Sequence, residues 1–327
     1  MITLITGAGF VGSVVAAQLV ARGDDTPVLL DIAFSVENLR DRLDLDSVKL
    51  VKADVTDLGA VRDAIEQHGV SRIIHTAALL HRGVGAQPFR GVEVNVMGAM
   101  AVLEAARLSN VTRVVNVSAG SVVLGKAFTA QDVVSEHVAL DCVDERPPNL
   151  YSTAKLATEW LFSNYRETYG LSTATIRAAG TFGPWIGPQR GHPAGLMRAI
   201  VEGGVRHGRV RLPEADIQQS IDFVYSADVA QGLIRAADRQ EAPSHVYNVS
   251  MGRSQRVVDI IATLSDVLGR EVVAESSGEP STGMFQAPAP GFDISRAMRE
   301  LDYVPEFPMR RALEDFAAWI ERQPAQD

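Results

Sequence analysis

The feature that most constrains this chain is the hexapeptide Gly7-Ala8-Gly9-Phe10-Val11-Gly12. It follows an apolar, β-branched run at residues 2–6 and leads into a stretch with helical spacing over residues 12–22. A G-x-G-x-x-G pattern alone is weak, but between a strand and a helix it has a physical meaning. Gly7 permits a tight turn, Gly9 lets the backbone approach a pyrophosphate, and Gly12 lets helix and strand pack closely. The helix N-terminus then presents unpaired N–H groups and a positive dipole end to phosphates. A tight turn with no ligand is the plainer alternative, and the strand–turn–helix context weighs against it.

The pattern continues. Apolar runs at 27–31, 48–51, 72–76 and 112–118 read as strands, and amphipathic stretches at 58–68 and 92–108 read as helices. Gly23 and Gly69 stand where helices stop. Strands alternating with helices predict a parallel sheet covered on both faces. The second half is less regular. Helices are expected at 150–169, 257–268 and 309–322, with Gly170 and Gly269 closing the first two. Strands are expected at 172–177, 221–224 and 246–249, and loops at the Gly- and Pro-rich segments 180–193 and 275–291. The expected fold is α/β, a Rossmann doubly wound parallel sheet with a smaller, partly interleaved C-terminal substrate lobe. Residues 1–176, with about 217–248, would form the NAD-binding domain, and 177–216 with 249–327 the lobe.

Asp31 ends the second expected strand, 19 residues after Gly12 (31 − 12). A carboxylate there accepts hydrogen bonds from an adenosine ribose and repels a 2′-phosphate. Ile32 and Ala33 follow, with no Arg or Lys, so the expected cofactor is NAD rather than NADP.

Composition narrows the partners. With 327 residues and 46% hydrophobic content the chain can bury a large core. Its net charge of −9 disfavours nucleic acid. No run approaches the roughly 20 apolar residues of a membrane span. The first residues carry no basic leader. The one cysteine, Cys142, lies in an acidic stretch that makes a thiol less reactive. No Cys/His cluster has metal-ligand spacing. A cytoplasmic enzyme without a metal, acting on a small molecule, is expected, with a homodimer as its assembly.

Tyr151-Ser152-Thr153-Ala154-Lys155 places a phenol and an ammonium on one helical face. A phenol near its usual pKa of about 10 is a poor base, and a neighbouring cation lowers that value. Tyr151 could then exchange a proton with a substrate hydroxyl while hydride leaves or joins the same carbon. Most Y-x-x-x-K matches are solvated helix faces, so order along the chain matters more than the motif.

The phosphate turn, Asp31 and a Tyr/Lys pair near position 150 together resemble the extended short-chain dehydrogenase/reductase family, the NAD-dependent epimerases and dehydratases. The resemblance runs along nearly the whole chain. It implies that Asp54 and Val55 contact adenine and that Ala77 and Ala78, in His75-Thr76-Ala77-Ala78, line the cofactor. Asn95 matches the family's helix-four asparagine, and Lys155 would also contact the nicotinamide ribose. Segments 177–184, 222–230, 247–249 and 292–296 are similar to the family's later motifs.

Three departures bear on function. The family carries Ser or Thr five residues before the glycine that here is Gly125, and this chain has Gly120. Ser121 is the first candidate to supply the missing hydroxyl and Ser118 the second; otherwise the hydroxyl is absent. Ser121-Val122-Val123 lacks the acidic pair of the family's dehydratases, so dehydration is not expected. Gly180 and Ile221 stand where nucleotide-sugar members have the Asn and Arg that grip a diphosphate. A smaller substrate is therefore expected, with His81, Arg82, Gly180, Arg190 and His192 as candidate contacts, although each is also an ordinary loop residue. The leading expectation is a dehydrogenase of a secondary alcohol in a sugar, sugar acid or hydroxy acid. The alternative is a sugar or nucleotide-sugar epimerase that retains its NAD. A non-catalytic NAD-binding protein is a third reading, opposed by the intact Tyr151 and Lys155.

Overall fold

The computed structural model describes residues 1–124, 132–138, 146–187, 193–239, 243–281 and 289–324. The first half comprises β1 (Ile2–Thr6), α1 (Phe10–Arg22), β2 (Thr26–Asp31), α2 (Val36–Arg40), β3 (Lys49–Lys52), α3 (Leu58–His68) and β4 (Arg72–His75). It continues with α4 (His81–Ala86), α5 (Pro88–Val92), α6 (Gly98–Leu108), β5 (Arg113–Ala119) and the short β6 (Val133–Val134). Next come α7 (Leu150–Tyr169), β7 (Thr173–Ala178), β8 (Gly180–Phe182), α8 (Ala194–His207), β9 (Arg209–Leu212), α9 (Glu214–Ile217), β10 (Ser220–Tyr225) and α10 (Ser226–Asp238). The chain closes with β11 (Val246–Val249), β12 (Ser254–Arg256), α11 (Val257–Leu268), β13 (Val273–Ser276), β14 (Gly291–Phe292), α12 (Ser295–Leu301) and α13 (Met309–Arg322).

Seven strands form one sheet in the order β3-β2-β1-β4-β5-β7-β11, every pair parallel. The order reverses between β1 and β4, the crevice where Rossmann folds take a dinucleotide. Alternation along each strand loads both faces. Ile5 and Leu29 point to the face covered by Val15 and Leu19 of α1 and by Val229 and Leu233 of α10. Leu4, Val28 and Leu30 point to the other, covered by α3, α6 and α7 through Val61, Val102 and Phe162. The sheet is thus the expected doubly wound Rossmann arrangement.

A separate core fills the C-terminal lobe, where Phe182, Ile200, Phe223, Leu264 and Phe316 meet from β8, α8, β10, α11 and α13. β10 joins β8 and β12 in a three-stranded sheet of its own. Two expected loops differ. Segment 180–193 opens with β8, which pairs with β10. Segment 275–291 begins inside β13, which pairs with β9. The stretch expected as one helix over 92–108 starts earlier, at Pro88, and Glu93–Met97 form a π-helical turn within it. The helix α8 is hidden in the sequence by Gly203 and Gly204, poor helix formers retained for close packing. A Cβ at Gly204 would lie 2.6 Å from Leu264. Among the described residues no helix is long and apolar enough to cross a membrane, and no group of His, Cys, Asp and Glu could hold a metal ion.

The glycines of the turn are not equivalent. A Cβ at Gly12 would lie 1.9 Å from the Gly7 carbonyl oxygen, whereas one at Gly9 meets nothing within 4 Å. Gly12→Ala should therefore lose about 3 kcal/mol of stability or more, while Gly9→Ala should unfold within about 0.5 kcal/mol of wild type. Urea denaturation of the two proteins measures the difference.

Candidate active site

Backbone geometry builds the phosphate turn. Gly7 has φ +91°, a conformation that a side chain disfavours. A Cβ there would also lie 2.6 Å from the Ala77 amide nitrogen. The loop after β4 is locked onto the turn from above: the Thr76 hydroxyl donates to the carbonyls of Thr6 at 3.0 Å and Gly7 at 2.7 Å. Behind it, Thr6 Oγ1 and His75 Nδ1 share a 2.7 Å hydrogen bond. Burial holds His75 near pKa 3, so the ring is neutral. Gly9 caps α1 without a side-chain acceptor and is exposed. The first N–H groups of α1 and the open space over Gly9 make a cradle that fits a pyrophosphate.

Asp31 closes β2 beside this cradle. One carboxylate oxygen accepts the Ala8 N–H at 2.7 Å and the other the Ala33 N–H at 3.2 Å. The carboxylate is only partly buried, which leaves lone pairs for ribose hydroxyls. Asp54 accepts from the Thr56 N–H and hydroxyl and pairs with Arg90, while Val55 is buried against Gly98. Asn95 lies in the π-helical turn, and its whole amide is committed to Leu79, accepting the N–H at 2.8 Å and donating to the carbonyl at 2.9 Å. It braces the loop that carries Ala77 and Ala78.

Tyr151 and Lys155 sit one turn apart in the first turns of α7, whose N-cap Asn149 accepts the Ser152 N–H. Lys155 is 4% exposed and its Nζ donates to the Val117 carbonyl at 2.7 Å. Burial pushes the Lys155 ammonium down to about 8, opposed by Glu159, and pushes the Tyr151 phenol up to about 12.

The two serine candidates separate. Ser118 Oγ donates to buried Glu159 at 2.6 Å, and Glu159 is held by Arg177 through both its oxygens. Ser118 is thereby engaged in a buried ionic network. Ser121 lies in a short 3-10 turn (Gly120–Val123) and pairs with the hydroxyl of Ser152 at 2.9 Å. Ser152, next to Tyr151 and fully buried, carries no signal in the sequence that marks it for the site. Gly120 is a glycine for a packing reason: a Cβ would lie 2.5 Å from the ring of Phe292. Phe292 is fixed there by β14 pairing with β6 and by its N–H donating to Asp222 at 2.8 Å. Burial raises that carboxyl to about 7.

The remaining candidates scatter. His81 and Arg82 are exposed at the start of α4. Gly180 packs against Pro193 and the Asp222 carbonyl, and Ile221 is 2% exposed within the lobe core. Arg190, His192 and Cys142 lie outside the described residues.

A family model described as the NAD dependent epimerase/dehydratase family matches residues 3–250. The chain is 26% identical to a UDP-glucose 4-epimerase of Corynebacterium glutamicum, with 97% of this chain and 94% of the relative covered. It is 26% identical to a dTDP-glucose 4,6-dehydratase of Salmonella typhimurium, with the same coverage. Among solved structures, the UDP-glucose 4-epimerase of Thermotoga maritima with UDP-glucose superposes with a TM-score of 0.81 at 23% identity, covering 98% of this chain and 99% of that one. The Thermus thermophilus UDP-glucose 4-epimerase in complex with NAD gives a TM-score of 0.77 at 24% identity, with the same coverage.

NAD is the cofactor that the family uses and that the turn and Asp31 fit. Isothermal titration should show NAD binding at least about 10-fold more tightly than NADP, since a 2′-phosphate would face the Asp31 carboxylate. Equal affinities would sink that assignment of Asp31.

Proposed function

Because the chain belongs to the NAD-dependent epimerase/dehydratase family, and is thereby an NAD-dependent enzyme of the extended short-chain dehydrogenase/reductase type, we propose that it is a sugar epimerase. It would oxidise one secondary alcohol to a ketone and reduce it again from the other face, with the same NAD retained. The relatives that match along the whole chain favour this over the net dehydrogenation that departures in the sequence suggested. The observation that carries the reading is the Tyr151–Lys155 pair on α7, beside a Ser121 hydroxyl held by Ser152. Val122 and Val123 are fully buried in an apolar cluster with Phe292, which supports the absence of dehydratase chemistry.

Each residue has a distinct task. Bound NAD would supply the hydride acceptor and, in its oxidised form, a positive charge. Tyr151 takes the proton of the substrate hydroxyl and returns it on reduction. Burial alone holds its phenol near 12, too high for a base at neutral pH. Lys155, one helical turn on and held by the Val117 carbonyl, carries the cation that would have to lower it once cofactor and substrate are bound. Ser121 donates a hydrogen bond to the ketone oxygen as charge develops on it. Ser118 is occupied by Glu159 and serves the fold. The C-terminal lobe, residues 177–216 and 249–327, would hold the sugar. A homodimer in the cytoplasm is the setting we assign.

The substrate is a sugar held without the two diphosphate contacts typical of nucleotide-sugar members. Ile221 is buried in the lobe core and Gly180 has no side chain and is packed against Pro193, Ile221 and the Asp222 carbonyl, so neither position offers a group to a phosphate. Losing one charge-assisted contact weakens binding by about 10- to 150-fold.

Two outcomes are expected. Ser121→Ala should lower kcat by roughly 100-fold, and Ser118→Ala should lower thermal stability more than kcat. Tyr151→Phe should abolish turnover with NAD affinity nearly intact. Steady-state kinetics with thermal unfolding checks this, and wild-type kcat in Tyr151→Phe removes the mechanism. The second outcome concerns substrate: UDP-, dTDP- and GDP-sugars should bind the NAD complex more weakly than micromolar by titration calorimetry. Micromolar binding would overturn the small-substrate assignment. Stoichiometric NADH accumulating during turnover would overturn epimerisation in favour of net dehydrogenation.

A further inference from the structure

Three segments distant in sequence meet beside the N-terminus of α1, next to the diphosphate cradle. Asn38, on α2, is 2% exposed. Its Oδ1 accepts the Ile186 N–H at 2.7 Å, and its Nδ2 donates to the Ile186 carbonyl at 2.9 Å, across 148 residues. The pair acts like one rung of a sheet made by a side chain. Arg42, just beyond α2, donates from Nε to Ser13 Oγ at 3.1 Å in the first turn of α1 and bonds the Pro184 carbonyl. Its guanidinium lies 5.9 Å from the centre of the Trp185 ring. Trp185 in turn meets Phe10 edge to face, with ring centres 6.1 Å apart and planes at 74°. Phe10 directly follows Gly9, the open position of the phosphate turn.

We propose that Asn38, Arg42 and Trp185 form a clasp that sets how slowly bound NAD leaves. The segment holding them to the ribose side follows Asp31 by a few residues, and the segment on the other side follows β8. Between them lies the turn that takes the diphosphate. A dinucleotide on that turn departs when the two segments part, and parting them takes from the half-buried Ile186 the partners of both its N–H and its carbonyl, and from the buried Asn38 amide its partners there. None of these contacts uses the Tyr151–Lys155 pair, so the clasp acts on cofactor residence and not on proton transfer. The inference deepens the retained-NAD part of the proposed function and rests on its NAD site.

The test measures NAD release directly. The protein is loaded with NAD, and release is followed by displacement with excess NADH, read by NADH fluorescence. Asn38→Ala and Trp185→Ala should each release NAD at least about 10-fold faster than wild type, and Asn38→Asp, which keeps the acceptor, should fall between. Thermal unfolding of each free protein separates this from a general loss of structure. Trp185 is only partly buried, so its variant decides the matter if Asn38→Ala does not fold. Release rates equal to wild type in the folded variants overturn the clasp. A wild-type protein that loses NAD on desalting overturns cofactor retention in the proposed function instead, and the clasp is then still judged by the ratio of rates.

Discussion

A methyl group at Gly12 would lie 1.9 Å from the Gly7 carbonyl oxygen. That close approach of helix to strand is the constraint on which the rest depends. It seats α1 against β1, and it leaves the N–H groups at the start of α1 facing open space over Gly9. Because the turn is tight, the loop after β4 can lie directly on it, with Thr76 bonding two of its carbonyls. Ala77 is thereby packed onto the turn, its amide nitrogen 2.6 Å from where a Cβ of Gly7 would lie. Asn95 completes the arrangement from the π-helical turn, holding Leu79 by both amide partners. Its place in the site is that of a brace, a role that sequence position alone does not distinguish from a ligand.

The same logic, packing deciding chemistry, governs the centre of the site. Position 120 has no room for a side chain because the Phe292 ring occupies the space one would need. Phe292 cannot easily retreat. Its backbone is pinned by Asp222 and by the pairing of β14 with β6, and the Asn248 side chain ties Val134 to the same region. Of the flanking serines, one is engaged by a carboxylate–guanidinium pair that would lose a buried partner if it turned away. The other is paired only with a neutral hydroxyl, an interaction that a substrate oxygen can join without stranding a charge.

Similarity to nucleotide-sugar enzymes and the presence of Gly180 and Ile221 in the lobe are compatible physically. The Rossmann sheet and the C-terminal lobe have separate hydrophobic cores, and within the second Phe182 makes aromatic contacts with Phe223, Tyr225 and Phe316. Ile221 belongs to that core. A lobe can exchange a phosphate-binding side chain for an apolar one without disturbing the Rossmann sheet, because the two cores share few residues.

By itself the sequence determined the elements whose signals are local. The apolar runs of β1, β2 and β4, the helix stops at Gly23, Gly69, Gly170 and Gly269, the phosphate turn and the i,i+4 placement of Tyr151 and Lys155 all rest on interactions within a few residues. Helix α8 was not legible because Gly203 and Gly204 answer to neighbours from other elements. Strand β8 was not legible because its three residues sit among glycine and proline and gain order from β10, some 40 residues on. The partners that engage Ser118 and Ser121, the reason for Gly120 and the Asn38–Ile186 pair were decided by tertiary structure alone. Each depends on a partner between 31 and 172 residues away (152 − 121 and 292 − 120), and no local pattern encodes which distant side chain fills a given space.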